Sequence, residues 1–283
     1  MANSKHHLAL LIPALFPLLA FLLISAAESS VAQVKTAASG AASALSPWQA
    51  ITPFAAADAT FTNLENGARI ETPYVATFGL SGGWGLAPIS SPVAGKSGHH
   101  HLLINRDLPL DFKQALPFNN QYIHFGKGQM ETVLMLEPGD YTLRLLLADD
   151  KHLPHFIYSK PVKITVTKSN RNVDPKSLVK AGISLKNLPV DGKVAALFNV
   201  QFHASGLNVA HQSQGEKNTG HFRLTVAPQG GGKPVEMNFV NGQTEVWLSP
   251  PAGSYILKLD FVDNTNPDSL LAAPATAVVL VHA

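Results

Sequence analysis

Residues 126–150 read GKGQMETVLMLEPGDYTLRLLLADD, and residues 240–264 read VNGQTEVWLSPPAGSYILKLDFVDN. Gly128, Gln129, Glu131, Gly139, Tyr141, Leu143 and Asp149 of the first stretch fall on Gly242, Gln243, Glu245, Gly253, Tyr255, Leu257 and Asp263 of the second, at constant spacing. Self-similarity at a fixed offset is the sequence signature of a repeated structural unit. The match extends upstream, where SGHHHLLI (Ser97–Ile104) aligns with TGHFRLTV (Thr219–Val226) and NLENGARIETPYVATFGLSGGWGLAP resembles NLPVDGKVAALFNVQFHASGLNVAH. The chain therefore divides into two copies of one module, 60–168 and 180–283, with a short linker at 169–179.

Both copies read as strands. Tyr141, Leu143, Leu145 and Leu147 alternate with Thr142, Arg144 and Leu146, and Tyr255, Leu257, Leu259 and Phe261 alternate with Lys258 and Asp260. A period of two is the mark of a half-buried strand. EPGDY and PAGSY are turns leading into that strand, and KPVKITV and PATAVVLV close each copy. Glu131 and Glu245 recur with it and read as polar residues on the strand's solvated face. Short strands, frequent Gly and Pro, and about a hundred residues per unit predict two tandem immunoglobulin-like β-sandwiches.

The N-terminus adds a compartment. Lys5 precedes the apolar run Leu8–Ala27, and Ser30 and Ala32 supply a small-residue cleavage pattern, which predicts a signal peptide over 1–32 and export to the periplasm or beyond. Uncleaved, the same run is long enough to anchor the chain in a membrane. An Ala/Ser-rich linker is expected over 33–59. With 21 basic and 19 acidic residues the net charge is +2, and no basic stripe suggests nucleic acid. The chain has no cysteine, which excludes disulfides and thiolate metal sites.

The residues that carry chemistry are the histidines. Of twelve, six lie in the first module: His99, His100, His101, His124, His152 and His155. Alignment with the second copy puts His100 at the position of Phe222, facing the core, and His99 and His101 at the positions of His221 and Arg223, facing outward on one side of a strand. A pair two residues apart on one face can chelate an ion, and His124 and His155 lie in segments that can converge on it. These four are the expected metal ligands, with His100, His152 and Asp149 as second choices. Imidazole suits copper and zinc. The second copy keeps only His221 of the cluster, so the fold does not need it. Two readings stay open: an exported, non-enzymatic binding protein holding copper or zinc, or a structural or adhesion-type module recognising a protein or glycan in the envelope without metal. No nucleophile elbow or metalloprotease motif suggests catalysis.

GHHHLLI, IHFGKGQMET, LEPGDYTLRLLLADDKHLPH and SKPVKITV occur in that order over about residues 69–167. Together they resemble an exported bacterial domain family of unknown function, whose members carry G-H-H-H-L-L-I, H-F-G-x-G-Q-T-E and P-G-x-[HY]-T-L-x-L-x-x-x-D-x-x-H-x-P-H. The second module keeps the Gly-Gln-x-Glu block and the tyrosine strand but lacks the triple histidine. It is similar to a divergent copy. The resemblance implies a bacterial cell-envelope protein and assigns no activity.

Overall fold

The computed structural model describes residues 45–51, 57–109 and 111–282. The expected signal peptide, 1–32, and most of the expected 33–59 linker lie outside the described residues. The described residues belong to one compact unit spanning Ala44–Ala283.

Two β-sandwiches make up that unit. In the first, a three-stranded sheet runs Ala59–Phe61, Tyr74–Leu80, Glu131–Leu134. It faces a larger sheet in the order Ala68–Thr72, Val162–Ser169, Gly139–Ala148, Ser97–Ile104, with Tyr122–His124 paired to the last of these. The second sandwich repeats the plan. Gly182–Lys186, Phe198–Ser205 and Glu245–Leu248 face the order Lys193–Val194, Ala275–Val281, Gly253–Asp263, Gly220–Pro228, Val235–Phe239. In both, the short strand at one edge runs parallel to the closing strand, while the sheet interior is antiparallel. This is an immunoglobulin-like, all-β fold in two tandem copies. Within the stretch read as a linker, Gln49–Ala50 pairs with Glu245–Leu248, and Trp48 packs edge-on against Tyr255 at 5.4 Å, so strand pairing and an indole together dock this segment.

The repeated stretch produces the same local devices twice. Tyr141 donates from its hydroxyl to the Glu137 carbonyl at 2.9 Å, and Tyr255 donates to the Pro251 carbonyl at 2.8 Å. Each bond closes the corner before the strand, the tyrosine corner of such sandwiches. Gln129 accepts from the Lys127 N–H and Gln243 from the Asn241 N–H, closing the preceding turn. Inside the first sandwich, Phe78, Leu102, Phe125, Leu143, Leu145 and Ile164 form the core between the sheets.

The Gly-Gln-x-Glu blocks join the modules. Val209 N–H donates to the Gly128 carbonyl and Leu86 N–H to the Gly242 carbonyl, both at 2.9 Å, so each block grips the other module's backbone. A Cβ on Gly128 would stand 2.0 Å from the Val209 oxygen, and one on Gly242 2.3 Å from the Leu86 oxygen. Both glycines also have positive φ, +82° and +71°. Thr244 Oγ1 bonds both the N–H and the carbonyl of Leu80. Glu131 accepts from Ser205 Oγ and Gly206 N–H at 2.8 Å each and from His203 Nε2 at 3.1 Å. Its side chain is 8% exposed, so the expectation that it lies on a wet face is corrected: the face is covered by the neighbouring module. Apolar burial follows the same seam, since Leu80, Leu86, Met130, Leu147 and Ile157 belong to the second sandwich's core cluster.

Burial alone would push the Glu131 carboxyl up, but the hydrogen bonds from His203, Ser205 and Gly206 outweigh it and hold its pKa below the usual 4.5. A carboxylate whose pKa is depressed by folding contributes stability that is present above its ordinary value and lost as pH falls through the folded value. Glu131→Gln is therefore expected to lower the melting temperature at pH 7 by several degrees, corresponding to roughly 2–3 kcal/mol for a buried charge-assisted network. Thermal melts of both proteins down a pH series check this. The gap must close on acidification below pH 4.5.

Candidate metal centre

Ser97–Ile104 pairs with Gly139–Ala148 on one side and Tyr122–His124 on the other. Antiparallel register places His99 opposite Ala148, His101 opposite Leu146, and His101 opposite His124. Directly opposed side chains on one face approach within about 5 Å at Cβ, which brings His124 beside His101. His100 points through the other face into the core, edge-on to Phe78 at 5.4 Å.

The fourth imidazole comes from the turn after Gly139–Ala148. Asp149 Oδ1 accepts the backbone N–H groups of Lys151 (2.9 Å) and Leu153 (2.8 Å), and His152 N–H donates to the Asp149 carbonyl. His152 takes a left-handed conformation, φ +62°. The turn folds its ring back over the sheet. His152 Nε2 lies 3.3 Å from His124 Nε2, and His99 Nε2 lies 2.9 Å from His101 Nε2. One nitrogen from each of His99, His101, His124 and His152 falls within 4.8 Å of all the others. Gly126 makes room for this packing, because a Cβ there would stand 2.3 Å from His124 Cε1.

Three placements differ from the sequence expectations. His155 lies outside the cluster: it is the second residue of the strand Pro154–Tyr158, its Nε2 sits 3.1 Å from the Ser97 carbonyl, and its ring packs on Trp84 at 4.8 Å. The left-handed turn at His152 accounts for the exchange, since it sends the chain away before residue 155. Asp149 lies outside the cluster, and its Oδ1 shapes that turn. Finally, the face carrying His99 and His101 is not open to solvent, for these side chains are 1% and 0% exposed. Leu116 covers it, buried with Leu103, Leu146 and Ala148, with Leu108 and Phe112 packed against them. Leu116 N–H is tied to the His152 carbonyl at 2.9 Å. Phe118 caps the outer pair, with its ring 4.6 Å from His152 and 5.4 Å from His124.

Burial followed by the neighbouring imidazoles lowers the His99 pKa to about 2 and the His101 pKa to about 3. Burial, then His152, lowers that of His124 as well. His99, His101 and His124 are thus neutral at pH 7, the state in which imidazole coordinates metal. Tetrahedral coordination at about 2.0–2.1 Å requires ligand atoms about 3.3 Å apart, so the cluster fits an ion with small side-chain adjustments. In the second module the same face carries ion pairs instead. Arg223, the counterpart of His101, bonds Asp260 at 3.1 Å, and Lys258 joins it. His221, the counterpart of His99, bonds Asn264 at 2.7 Å.

The chain belongs to the family described as Domain of unknown function (DUF4399), whose pattern matches residues 76–167 and 200–279, more than half of the chain. Each matched segment falls within one of the two sandwiches. No curated protein matches the chain. Among solved structures, the fibronectin(III)-like modules of Clostridium thermocellum CbhA share 14% identity, covering 79% of this chain and 93% of that one, with a TM-score of 0.25. A two-domain fibronectin type-III segment of chicken tenascin shares 13% identity over 79% of this chain and 97% of its own, with a TM-score of 0.24.

His100 has neither ring nitrogen hydrogen-bonded although it is fully buried, and the second copy places Phe222 there. An unsatisfied buried polar group costs about 1–3 kcal/mol. His100→Leu, close in volume, is expected to raise the melting temperature by a few degrees, measured by calorimetry on the full chain. A fall instead would mean that the imidazole is satisfied and structural.

Proposed function

We propose that this chain is an exported cell-envelope binding protein that holds one copper or zinc ion through His99, His101, His124 and His152. The observation that carries the reading is the convergence of four imidazole nitrogens within 4.8 Å, drawn from three separate segments. In a cysteine-free chain, all-imidazole ligation suits these ions. The export part of the reading rests on the N-terminal run Leu8–Ala27 and the small-residue pattern at Ser30 and Ala32.

The role is binding rather than catalysis. Four protein ligands complete a tetrahedral shell, whereas catalytic zinc sites keep a position for water or substrate. The second copy supports the same view from the other side: the sandwich stands with ion pairs in place of imidazoles, so the cluster serves something other than the fold.

Calorimetric titration of the full chain at pH 7 with Zn(II) and with Cu(II) tests the reading. One ion per chain is expected, weakened at least a hundredfold in the double variant His99→Ala/His101→Ala and unchanged in His155→Ala. Binding that is not stoichiometric, or that survives the double variant intact, contradicts it.

A further inference from the structure

We propose that the cavity beside Glu245 binds a small planar organic cation bearing N–H donors, of the imidazolium or amidinium class. The two glutamates of the repeat meet different partners. In strand register Glu131 pairs with Thr77 and Glu245 with Gln201, so Thr77 and Gln201 are counterparts. Counting on from them, Gly79, Ser81 and Gly82 match His203, Ser205 and Gly206. Glu131 accepts hydrogen bonds from all three residues of the second set, including the His203 imidazole at 3.1 Å. Glu245 is less well served. Gly79 has no side chain to offer, and Ser81 Oγ is engaged by Asp58, whose N–H it accepts at 2.9 Å. The Gly82 N–H remains, joined by Asn199 Nδ2 at 3.2 Å.

Where His203 lies against Glu131, Gly79 instead borders a cavity of about 320 Å³ that Glu245 also lines. That is the size of a small-molecule site. Asp58, Asn199, Gln201 and Trp247 line it too, and the described lining contains no Lys, Arg or His. Two carboxylates without a basic neighbour favour a cation, and an indole is the best aromatic partner for one. Burial pushes the Glu245 carboxyl up against the pull of Asn199 and Gly82, the opposite direction from Glu131. An N–H cation beside it supplies the charge-assisted hydrogen bond that His203 supplies to Glu131. A planar head of this class matches the imidazole that the other half of the repeat carries at the same place.

Benzamidinium and its neutral analogue benzamide serve as probes, titrated calorimetrically into the full chain at pH 7. One benzamidinium per chain is expected, with benzamide at least tenfold weaker because it has the same shape without the charge. That comparison needs no variant. Glu245→Gln, which keeps the side chain's shape, should weaken benzamidinium at least tenfold. The double variant His99→Ala/His101→Ala should leave it unchanged, which separates this cavity from the imidazole cluster. No binding at millimolar benzamidinium, equal affinity for benzamide, or binding that survives Glu245→Gln or is lost in the histidine double variant overturns the proposal.

Discussion

A β-strand turns successive side chains to opposite faces, and the candidate metal centre depends on that alternation at Ser97–Ile104. Three consecutive histidines cannot share one ion from an extended backbone. The strand commits His99 and His101 to one face and His100 to the other, where it meets Phe78. Antiparallel register then supplies the third imidazole, because His124 stands directly opposite His101. A one-residue slip in either pairing would send His99 and His101 into the core and His100 toward the cluster. The site is thus held by the sheet, and only His152 and the cap at Phe118 are left to the loops.

That division explains how the two copies can differ. The sheet that carries the imidazoles in the first sandwich carries Arg223, Lys258 and Asp260 in the second, on the same face and in the same register. The backbone plan is indifferent to the choice. What the copies share is the machinery of the fold: the tyrosine corners, the glutamine-closed turns and the Gly-Gln-x-Glu seam, in which each module grips the other's backbone at Val209 and Leu86. Retention of a block in both copies therefore marks structure here. Its restriction to one copy marks the cluster as the part free to bind something.

Much of this was legible in the sequence because it is local. Period-two alternation located the tyrosine strands, constant spacing revealed the repeat, and the Phe222 alignment separated His100 from its neighbours. Three features were not legible. A left-handed residue reverses the chain at His152, and nothing in DDKHLPH distinguishes that from a turn that would deliver His155. The cover over His99 and His101 comes from a segment without periodicity, in which Leu116 and Phe118 act only through tertiary contact. The seam role of Glu131 hides in a pattern identical to that of a solvated strand face. Its recurrence with Gly128 and Gln129 was the available signal, and the partner surface lies far away in sequence, at His203, Ser205 and Gly206.

The proposed function requires His99, His101, His124 and His152 to close around a single ion. X-ray absorption spectroscopy of the full chain loaded with one equivalent of zinc tests it most directly. A first shell of four nitrogens at about 2.0–2.1 Å, with the outer-shell scattering of four imidazoles, is expected. A shell with fewer imidazoles, completed by carboxylate or water oxygens, would contradict it.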